Sequence, residues 1–580
     1  MYELESNPTH SPAAGPPGRR DLHSAPHHRD GIKDTIESIV IALVLAFVFR
    51  AFVVEAFVIP TGSMAPTLYG AHATILCEDC GTEFAYGLRD PDDSRGVGTV
   101  DANAVAICPN CKHPNANLRV RDDEGLPEKG DRILVFKWPF DIGGPGLDPA
   151  RWDVVVFKDP EDGVTNFIKR CAGVPNEVLM IIDGDVYTVP NSELSPETKA
   201  ELEQYTHEKY LRFSGQAAGQ LPPISPQAYA ELDRKLRIAR KTPVAQRSLW
   251  QTIYDNDYPP RTPSNAQPHW FAARGANSGW DLSSRQIRFY PCETRDDFIA
   301  LTGKEIRASN AYNIRDNLSP VVGDQRVRFV LTPKDAHGIV RIGLSKWGRN
   351  FRAVLDMSGA VSLTEAKDKD KEAEAESEQV MVSARLRPFV PGRAVEIHFE
   401  NVDYRLALSV EGEEVLASSS DPSSPAYYAP EVTRLRRELR MQPVVPPRIQ
   451  AEDGAFELTH LAVDRDEYYF HDLRMNPLQR LPWAPRSGWA SPTSPIMLRE
   501  GEFFMLGDNT AASKDSRLWD EVGPHLKGRG EAFQLGTVPR DQLIGKAFFV
   551  YWPAGHRIDW LPPLDRIGVI PDVGRMRWIR

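Results

Sequence analysis

The stretch RAVEIHFENVDYRLALSVEGEEVLA, residues 393–417, carries the pattern that decides the fold class. Apolar side chains such as Val395, Ile397 and Phe399 alternate with polar ones along its first half. A period of two places the apolar side chains on one face of a β-strand. Alternating short runs of this kind, separated by turn signals, predict antiparallel strands.

Similar alternating runs lie on both sides of this stretch and predict further strands: QRVRFVLTP, GIVRIGLSKW, NFRAVLDM, QVMVSARLRPF and AFELTHLAVDRDEYYF. Together they predict an antiparallel β-sandwich, which resembles a concanavalin-like or laminin-G-like jelly roll. The charged run Thr364–Gln379 predicts a disordered loop between two strands. Sandwiches of this kind often bind a glycan or a protein, and a passive spacer is the alternative.

Composition favours the same fold class over the whole chain. The 580 residues correspond to roughly three or four domains. Hydrophobic residues make up 41% and charged residues 26%, which excludes wholesale disorder. Gly 41 and Pro 48 indicate many turns and favour a mainly β protein. Because Lys plus Arg is 69 and Asp plus Glu is 80, no basic excess is available for a nucleic-acid partner.

The N-terminal region predicts a tail followed by a membrane span. Residues 1–34 are rich in Pro, Gly, His and Ser and predict a disordered cytoplasmic tail. Residues 35–58 are mostly apolar and predict a transmembrane helix; the alternatives are a buried core helix and a cleaved signal peptide. No small-x-small site follows the run, which argues against cleavage. The span predicts a single-pass protein of the cell (inner) membrane. The basic residues before it favour a cytoplasmic N-terminus, with the later residues exocytoplasmic. These basic residues are Arg19, Arg20, Arg29 and Lys33.

Three separated segments carry candidate catalytic residues. Ser63 lies in a Pro/Gly turn within RAFVVEAFVIPTGSMAPTLYG, residues 50–70, and Lys169 follows Phe-Ile in the apolar run NFIKRCAGVPNE, residues 166–177. The third segment, GEFFMLGDNTAASKDSRLWDEVG, residues 501–523, makes a tight turn after an apolar strand. Taken singly, the serine would be an ordinary loop residue and the lysine a solvated charge.

A serine hydroxyl needs a base to become a nucleophile. No histidine and aspartate lie near these motifs in a triad-like setting, and no GxSxG turn is present. A lysine can serve as the base when it is neutral, and burial in an apolar strand lowers its pKa.

The three segments together resemble type I signal peptidase, the membrane-bound Ser-Lys leader peptidase. GDRILVFK (130–137), RWDVVVFKDP (151–160) and LIGKAFFVYWP (543–553) resemble further strands of that family. The chain departs from the family pattern at Asn176–Glu177, where Gly-Asp is usual, and at Thr510–Ala512, where Arg-Asp-Asn is usual.

The resemblance implies a signal-peptidase-type β catalytic domain, discontinuous over residues 59–76, 128–188 and 496–565. It implies that this domain removes signal peptides from translocated preproteins at small-x-small sites without a cofactor. Its partners would be preproteins and membrane lipid. The implied site comprises the nucleophile Ser63 and the base Lys169, an oxyanion hole formed by the Thr61 hydroxyl and the Ser63 N–H, Ser513 to orient the lysine, and the turn residues Gly507, Asp508, Asn509, Asp515 and Arg517.

Two CxxC pairs predict a metal site in a first insertion, residues 77–127. Cys77 and Cys80 lie in one pair and Cys108 and Cys111 in the other, as in a Cys₄ zinc ribbon that binds structural Zn²⁺. Two disulfides in an oxidising milieu are the alternative. A second insertion, residues 189–495, contains the sandwich, and residues 566–580 form a C-terminal tail.

Two other functions are alternatives to the peptidase. The first is a membrane-tethered binding protein with a degenerate peptidase core, which the presence of Ser63, Lys169 and Ser513 argues against. The second is a self-cleaving, repressor-like Ser-Lys peptidase, which the predicted membrane span disfavours.

Overall fold

A computed structural model describes these parts of the chain: residues 31–87, 105–115, 130–143, 146–213, 221–264, 267–291, 297–302, 306–308, 312, 320–346, 348–366, 378–419, 421, 424, 426–429, 432–433, 444–469, 489–553 and 573–579. The disordered tail predicted for residues 1–34 lies almost wholly outside them, as does most of the predicted loop Thr364–Gln379. The chain divides into two compact units, Met1–Val53 and Val54–Arg580.

The first unit contains the helix α1, Gly31–Phe52. The helix predicted for residues 35–58 is therefore shorter at its C-terminal end. Residues Val54–Val58 form a strand instead, because their backbone pairs with a second apolar strand, RILVF. Among the residues that the structure describes, no helix combines the length and the apolar character needed to cross a membrane.

The second unit begins with short strands and helices. In chain order they are β1 (Val54–Val58), β2 (His72–Leu76), β3 (Glu83–Gly87), β4 (Ala106–Ile107), β5 (Pro114–Asn115), β6 (Arg132–Phe136), α2 (Trp138–Ile142), β7 (Val154–Lys158), β8 (Asn166–Gly173), β9 (Glu177–Ile182), β10 (Asp185–Pro190), α3 (Pro196–Phe213), α4 (Pro226–Lys235), β11 (Arg237–Ile238) and α5 (Pro243–Leu249).

The remaining strands of the second unit follow in chain order. They are β12 (Gln251–Asp255), β13 (Trp270–Ala272), β14 (Trp280–Asp281), β15 (Ile287–Phe289), β16 (Phe298–Leu301), β17 (Gln325–Pro333), β18 (Ile339–Lys346), β19 (Arg349–Asp356), β20 (Ala360–Ala366), β21 (Glu378–Arg385), β22 (Val395–Val402), β23 (Arg405–Val410), β24 (Glu413–Ala417), β25 (Arg448–Glu452), β26 (Phe456–Arg465), β27 (Ile496–Met497), β28 (Glu502–Leu506), β29 (Val538–Pro539), β30 (Leu543–Trp552) and β31 (Arg577–Trp578).

The first sheet has the order β1-β6-β30-β7-β8-β28-β29, with β31 on β30. Its central strands read as continuous apolar runs, such as VVVF in β7 and FFML in β28, and these residues are buried. A strand that is buried on both faces needs such a run rather than alternation. The sheet brings together strands from both ends of the second unit.

A second, four-stranded sheet has the order β11-β10-β9-β27. Its strand β9 is buried along its whole length. One hydrophobic core contains residues of β9, β10, α3 and α4 together with the core of the sandwich, so these layers are not separated by solvent.

Two larger antiparallel sheets form the β-sandwich. One has the order β14-β15-β26-β17-β22-β23-β24, with β12 on β26, and the other has the order β13-β16-β25-β18-β19-β20-β21. The alternation in the sequence matches the burial: along β17 every second residue is buried, from Gln325 to Pro333. The chain is thus mainly β with an inserted antiparallel sandwich, as the sequence predicts.

Buried charges join the second sheet to the sandwich. Lys346 Nζ lies 2.5 Å from Asp324 Oδ1 and 3.2 Å from Asp185 Oδ2 on β10. Lys241 Nζ lies 2.5 Å from Asp403 Oδ1. All five side chains are buried, so each lysine replaces the hydration that the carboxylates lose.

Candidate active site

Ser63 lies in a single 3₁₀ turn, Gly62–Met64, that follows β1. Met64 and Leu68 are fully buried in the core beneath the first sheet and anchor the turn. Ser63 itself is buried, and its backbone carbonyl accepts a hydrogen bond from Asn509 N at 3.0 Å. The sequence places a small polar turn here, and the buried neighbours hold it against the sheet.

Lys169 lies on β8, between β7 and β28 of the first sheet. Its Nζ donates to Ser63 Oγ at 2.7 Å and to Ile168 O at 3.1 Å. Burial lowers the pKa of Lys169 to about 8, although the nearby carboxylates of Asp515 and Asp159 act in the opposite direction. A lysine with this pKa is partly neutral near physiological pH, which makes it able to accept a proton.

The turn that follows β28 holds the Ser63 turn in place. Asn509 Nδ2 donates to Gly62 O at 2.8 Å, which adds to its backbone bond to Ser63. Gly507 has no room for a side chain, because a Cβ there would lie 2.6 Å from Ser63 O and would also collide with Ser513. The close approach of these backbones accounts for the glycine at this position.

Asp515 and Arg517 form a bidentate ion pair, with Nε–Oδ1 at 2.9 Å and Nη2–Oδ2 at 2.6 Å. Asp515 Oδ2 also accepts a hydrogen bond from Gly507 N at 2.9 Å. Both side chains are buried. The pair therefore holds the turn around Gly507 and touches neither Ser63 nor Lys169 through a hydrogen bond in the described part of the chain.

Ser513 is fully buried, and its Oγ has no hydrogen-bond partner among the described residues. The hydrogen bond that the resemblance implies between Ser513 and Lys169 is therefore not formed here. The reason is local: the hydroxyl packs against Gly507, while the lysine amine donates to Ser63 and Ile168. Thr61 is exposed at the N-cap position of the 3₁₀ turn, and its side chain makes no capping hydrogen bond there.

A buried ion pair that sequence reasoning missed lies next to Lys169. Arg170 Nε and Nη2 donate to Asp508 at 2.8 and 2.6 Å, and Nη1 donates to Trp152 O at 2.7 Å. Both charged side chains are fully buried. An arginine inside an otherwise apolar strand was the available signal, since such a charge needs a buried partner.

Residues from the region predicted as an insertion also touch the site. Ser248 accepts a hydrogen bond from Thr67 Oγ1 through its carbonyl at 3.1 Å, and Glu467 Oε1 accepts one from Thr510 N at 3.3 Å. Burial raises the pKa of Glu467 to about 7. No local sequence pattern announces these contacts, because each depends on how distant segments pack.

The four cysteines of the CxxC pairs form one buried cluster, with every pair of sulfur atoms within 4.8 Å. Cys77 Sγ lies 3.5 Å from Cys111 Sγ, and Cys80 Sγ lies 3.7 Å from Cys108 Sγ. None of the four forms a disulfide. Four thiolates about 2.3 Å from a central Zn²⁺ would have sulfur atoms ~3.8 Å apart, so the cluster fits a tetrahedral metal.

The cysteine turns contact the sandwich side of the chain. Asn110, inside the second CxxC turn, donates to Tyr258 O at 2.6 Å and accepts from Asp255 N at 2.6 Å. Asp79, inside the first turn, accepts from Gln267 Nε2 at 3.0 Å. The two cysteine turns are thus hydrogen-bonded to the inserted region.

Comparison with known proteins identifies the family that the site resembles. The model of the family "Signal peptidase, peptidase S26" matches residues 32–81, 120–248 and 452–552. Signal peptidase I of Pseudomonas fluorescens is 34% identical over 102 residues, which cover 17% of this chain and 31% of that protein. Signal peptidase I of Rickettsia bellii is 27% identical over 182 residues, covering 30% and 46%. These matches confirm the resemblance to type I signal peptidase.

The chain thus spans between about a third and a half of the length of these curated relatives. Among solved structures, a carbohydrate-binding module, CBM66 from Bacillus subtilis, is similar at 10% identity with a TM-score of 0.23, over 34% of this chain and 94% of that one. Sheep galectin-11 is similar at 14% identity with a TM-score of 0.17, over 25% and 91%.

Proposed function

We propose that the chain is a serine endopeptidase that removes N-terminal signal peptides from translocated preproteins, cutting after small-x-small sequences. The observation that carries the proposal is the 2.7 Å contact between Lys169 Nζ and Ser63 Oγ in a buried setting. The similarity to Signal peptidase I of two bacteria supports the substrate class.

The proposed chemistry uses Ser63 as the nucleophile and neutral Lys169 as the general base. Lys169 takes the hydroxyl proton while Ser63 Oγ attacks the scissile carbonyl, and the resulting ammonium returns the proton to the leaving amine. Water then attacks the acyl-enzyme with Lys169 again as the base, the ester bond to Ser63 Oγ breaks, and Lys169 returns the proton to that oxygen. The Ser63 N–H and the Thr61 hydroxyl would stabilise the oxyanion, and one such donor is worth ~3 kcal/mol.

Ser513 supports the charged intermediate in this proposal. A lysine ammonium has three N–H donors. Two hydrogen bonds from Lys169 Nζ already go to Ser63 Oγ and Ile168 O. The buried Ser513 hydroxyl, which has unused hydrogen-bonding capacity and packs beside Gly507, is a suitable acceptor for the third. Gly507, Asp508, Asn509, Asp515 and Arg517 have a structural role.

We propose that α1 attaches the chain to the cell membrane. The large apolar side chains of the helix that the structure describes are about half exposed or more, as at Leu45 (62%) and Phe47 (67%). Such a surface is costly in water and favourable in lipid. Alkaline extraction of membranes tests the anchor, because release of the full chain into the supernatant would contradict it.

We further propose that Cys77, Cys80, Cys108 and Cys111 bind one structural Zn²⁺. Zinc supplies folding free energy to such a site and takes no part in Ser-Lys chemistry. The sandwich remains a candidate binding domain for a glycan or a protein. The catalytic portion would be formed by residues 59–76, 128–188 and 496–565.

The decisive experiment for the enzyme is cleavage of a precursor with a small-x-small site by purified chain in detergent. Ser63→Ala should lower the rate at least about a thousand-fold, because no other group replaces the hydroxyl nucleophile. The matched control is Ser362→Ala, on β20 of the sandwich, which should cleave at the wild-type rate. Wild-type cleavage by Ser63→Ala would exclude the proposed nucleophile.

A further inference from the structure

One aromatic residue of the sandwich region, Tyr312, lies against the turn Gly62–Met64, called here the nucleophile turn because it contains Ser63. Tyr312 donates a hydrogen bond from its hydroxyl to Ala71 O at 2.9 Å. Its ring stacks on Tyr69, with centroids 5.9 Å apart and planes 26° apart, and lies 6.5 Å from the ring of His72. Tyr69 and His72 belong to the segment that runs from the nucleophile turn into β2.

The ring of Tyr312 touches the backbone of the turn itself. A Cβ built on Gly62 would collide with three ring atoms of Tyr312, and a Cβ built on Gly87 would also collide with this residue. Gly87 pairs with His72 across the hairpin β2–β3. The ring therefore fills the space between the nucleophile turn and the base of this hairpin.

The Ser63 turn is thus restrained by two separate groups. Asn509 binds the carbonyl oxygens of Gly62 and Ser63, and Tyr312 covers Gly62 at its α-carbon. The N–H of Ser63 belongs to this same turn. An oxyanion hole acts through donors held at fixed positions, and a displacement of about 1 Å can cost ~100-fold in rate.

We propose that Tyr312 is a positioning residue for the reaction: the sandwich region inserts this ring against Gly62 and so fixes the Ser63 N–H where the oxyanion forms. The inference rests on the proposed peptidase function. The inserted region would then help to position the active site and would not be a passive spacer. It also explains why the residue before the nucleophile must be glycine in this chain.

Tyr312→Ala, Tyr312→Phe and the control Tyr290→Ala, all in the full-length protein, test the proposal. Tyr290 is an exposed tyrosine of the same region. Tyr312→Ala should lower kcat about 10- to 100-fold with KM within about twofold, because only the transition state uses the oxyanion hole. Tyr312→Phe keeps the ring and should retain at least about a third of kcat. Tyr290→Ala should match the wild type.

The pH midpoint of kcat should stay unchanged in Tyr312→Ala, since the Lys169–Ser63 hydrogen bond does not involve Tyr312. Three results would overturn the proposal. An unchanged kcat with a lowered melting temperature would make Tyr312 merely structural. A raised kcat/KM would make it an obstruction to substrate. A raised KM with unchanged kcat would make it a substrate contact.

A second measurement tests the role of Tyr312 independently of the proposed substrate. A small serine-directed acylating ester reports the reactivity of Ser63 without any signal peptide, and mass spectrometry measures the acylated fraction with time. Tyr312→Ala should slow acylation by a similar factor even if no precursor is cleaved by the wild type, in which case only the substrate proposal fails. Acylation at the wild-type rate in Tyr312→Ala would overturn the positioning role.

Discussion

At the scale of single residues, burial of Lys169 is what suits it to the proposed role of general base. Desolvation disfavours its charged form, and the carboxylates of Asp515 and Asp159 recover only part of that free energy. Asp515 cannot cancel the effect, because it is already bound to Arg517 and to Gly507 N. The amine of Lys169 can therefore lose its proton near physiological pH.

The rate of cleavage should follow the deprotonation of Lys169. The active form needs the neutral amine, so kcat/KM should rise with pH, by about tenfold per unit well below the midpoint, and level off above a pKa of about 8. Lys169→Arg should be inactive at every pH, because guanidinium stays protonated. A pH–rate profile of both proteins measures this.

The control for that profile is Lys158→Arg, since Lys158 lies at the end of β7 and binds Val164 O at the surface. It should reproduce the wild-type curve. Substantial activity of Lys169→Arg would show that this lysine is not the base.

At the scale of elements, β8 and the turn after β28 are joined by charge as well as by backbone bonds. Leu506 pairs with Arg170 in the ladder, and the next turn brings Asp508 onto the same guanidinium. The ion pair thus fixes the end of β28, from which Asn509 reaches the nucleophile turn.

Breaking this pair should destabilise the fold strongly. Asp508→Asn leaves Arg170 charged in a buried site, and removal of one partner of such a pair costs ~3–5 kcal/mol. Urea unfolding measures the loss of free energy. Glu414→Gln breaks the more exposed pair with Arg405 and should cost less than about 1 kcal/mol. Equal effects of the two substitutions would contradict the structural role of Asp508.

The cysteine cluster should hold one metal ion per chain. Metal analysis of purified protein should find about one zinc, which Cys80→Ser should lose while Cys171→Ser keeps it. Cys171 is a suitable control because it is buried and free but belongs to β8. Mass spectrometry that found disulfides between the four cysteines and no metal would exclude the zinc site.

At the scale of the whole molecule, the sandwich is joined to the second sheet by both packing and charge. The family match stops at residue 248 and resumes at 452. The strand β12, which begins just inside this gap, pairs with β26 beyond it, with Gln251 opposite Arg465. Yet one hydrophobic core runs from β9 and β10 into the sandwich. Lys346 of the sandwich neutralises Asp185 of β10.

Lys346 should therefore stabilise the junction of the second sheet and the sandwich. Lys346→Met leaves Asp185 and Asp324 buried without their shared cation, at a cost of ~3–5 kcal/mol. Lys334→Met removes a lysine from an exposed pair with Glu457 and should cost less than about 1 kcal/mol. Thermal unfolding compares the two. A melting temperature for Lys346→Met equal to that of Lys334→Met would show that the junction does not depend on this charge.

Local patterns in the sequence predict the fold class and most of the chemistry of the site. Alternation with a period of two identifies sandwich strands such as Val395–Val402, because each strand buries one face regardless of its partner. The CxxC spacing predicts that the four thiols meet, since two short turns present them in pairs. The end of α1 was predicted too far along the chain, because strand pairing overrides apolar character at Val54–Val58.

The sequence by itself determined the mainly β class and the resemblance to type I signal peptidase, and it singled out Ser63, Lys169 and the four cysteines as candidate site residues, because these depend on periodicity and on short motifs. Only the tertiary structure decided which side chains meet. Ser63 and Lys169 are 106 residues apart, and Arg170 and Asp508 are 338 apart. Tyr312 reaches Gly62 from within the sandwich region. Such contacts depend on how sheets and loops pack, and that packing has no local signature in the chain.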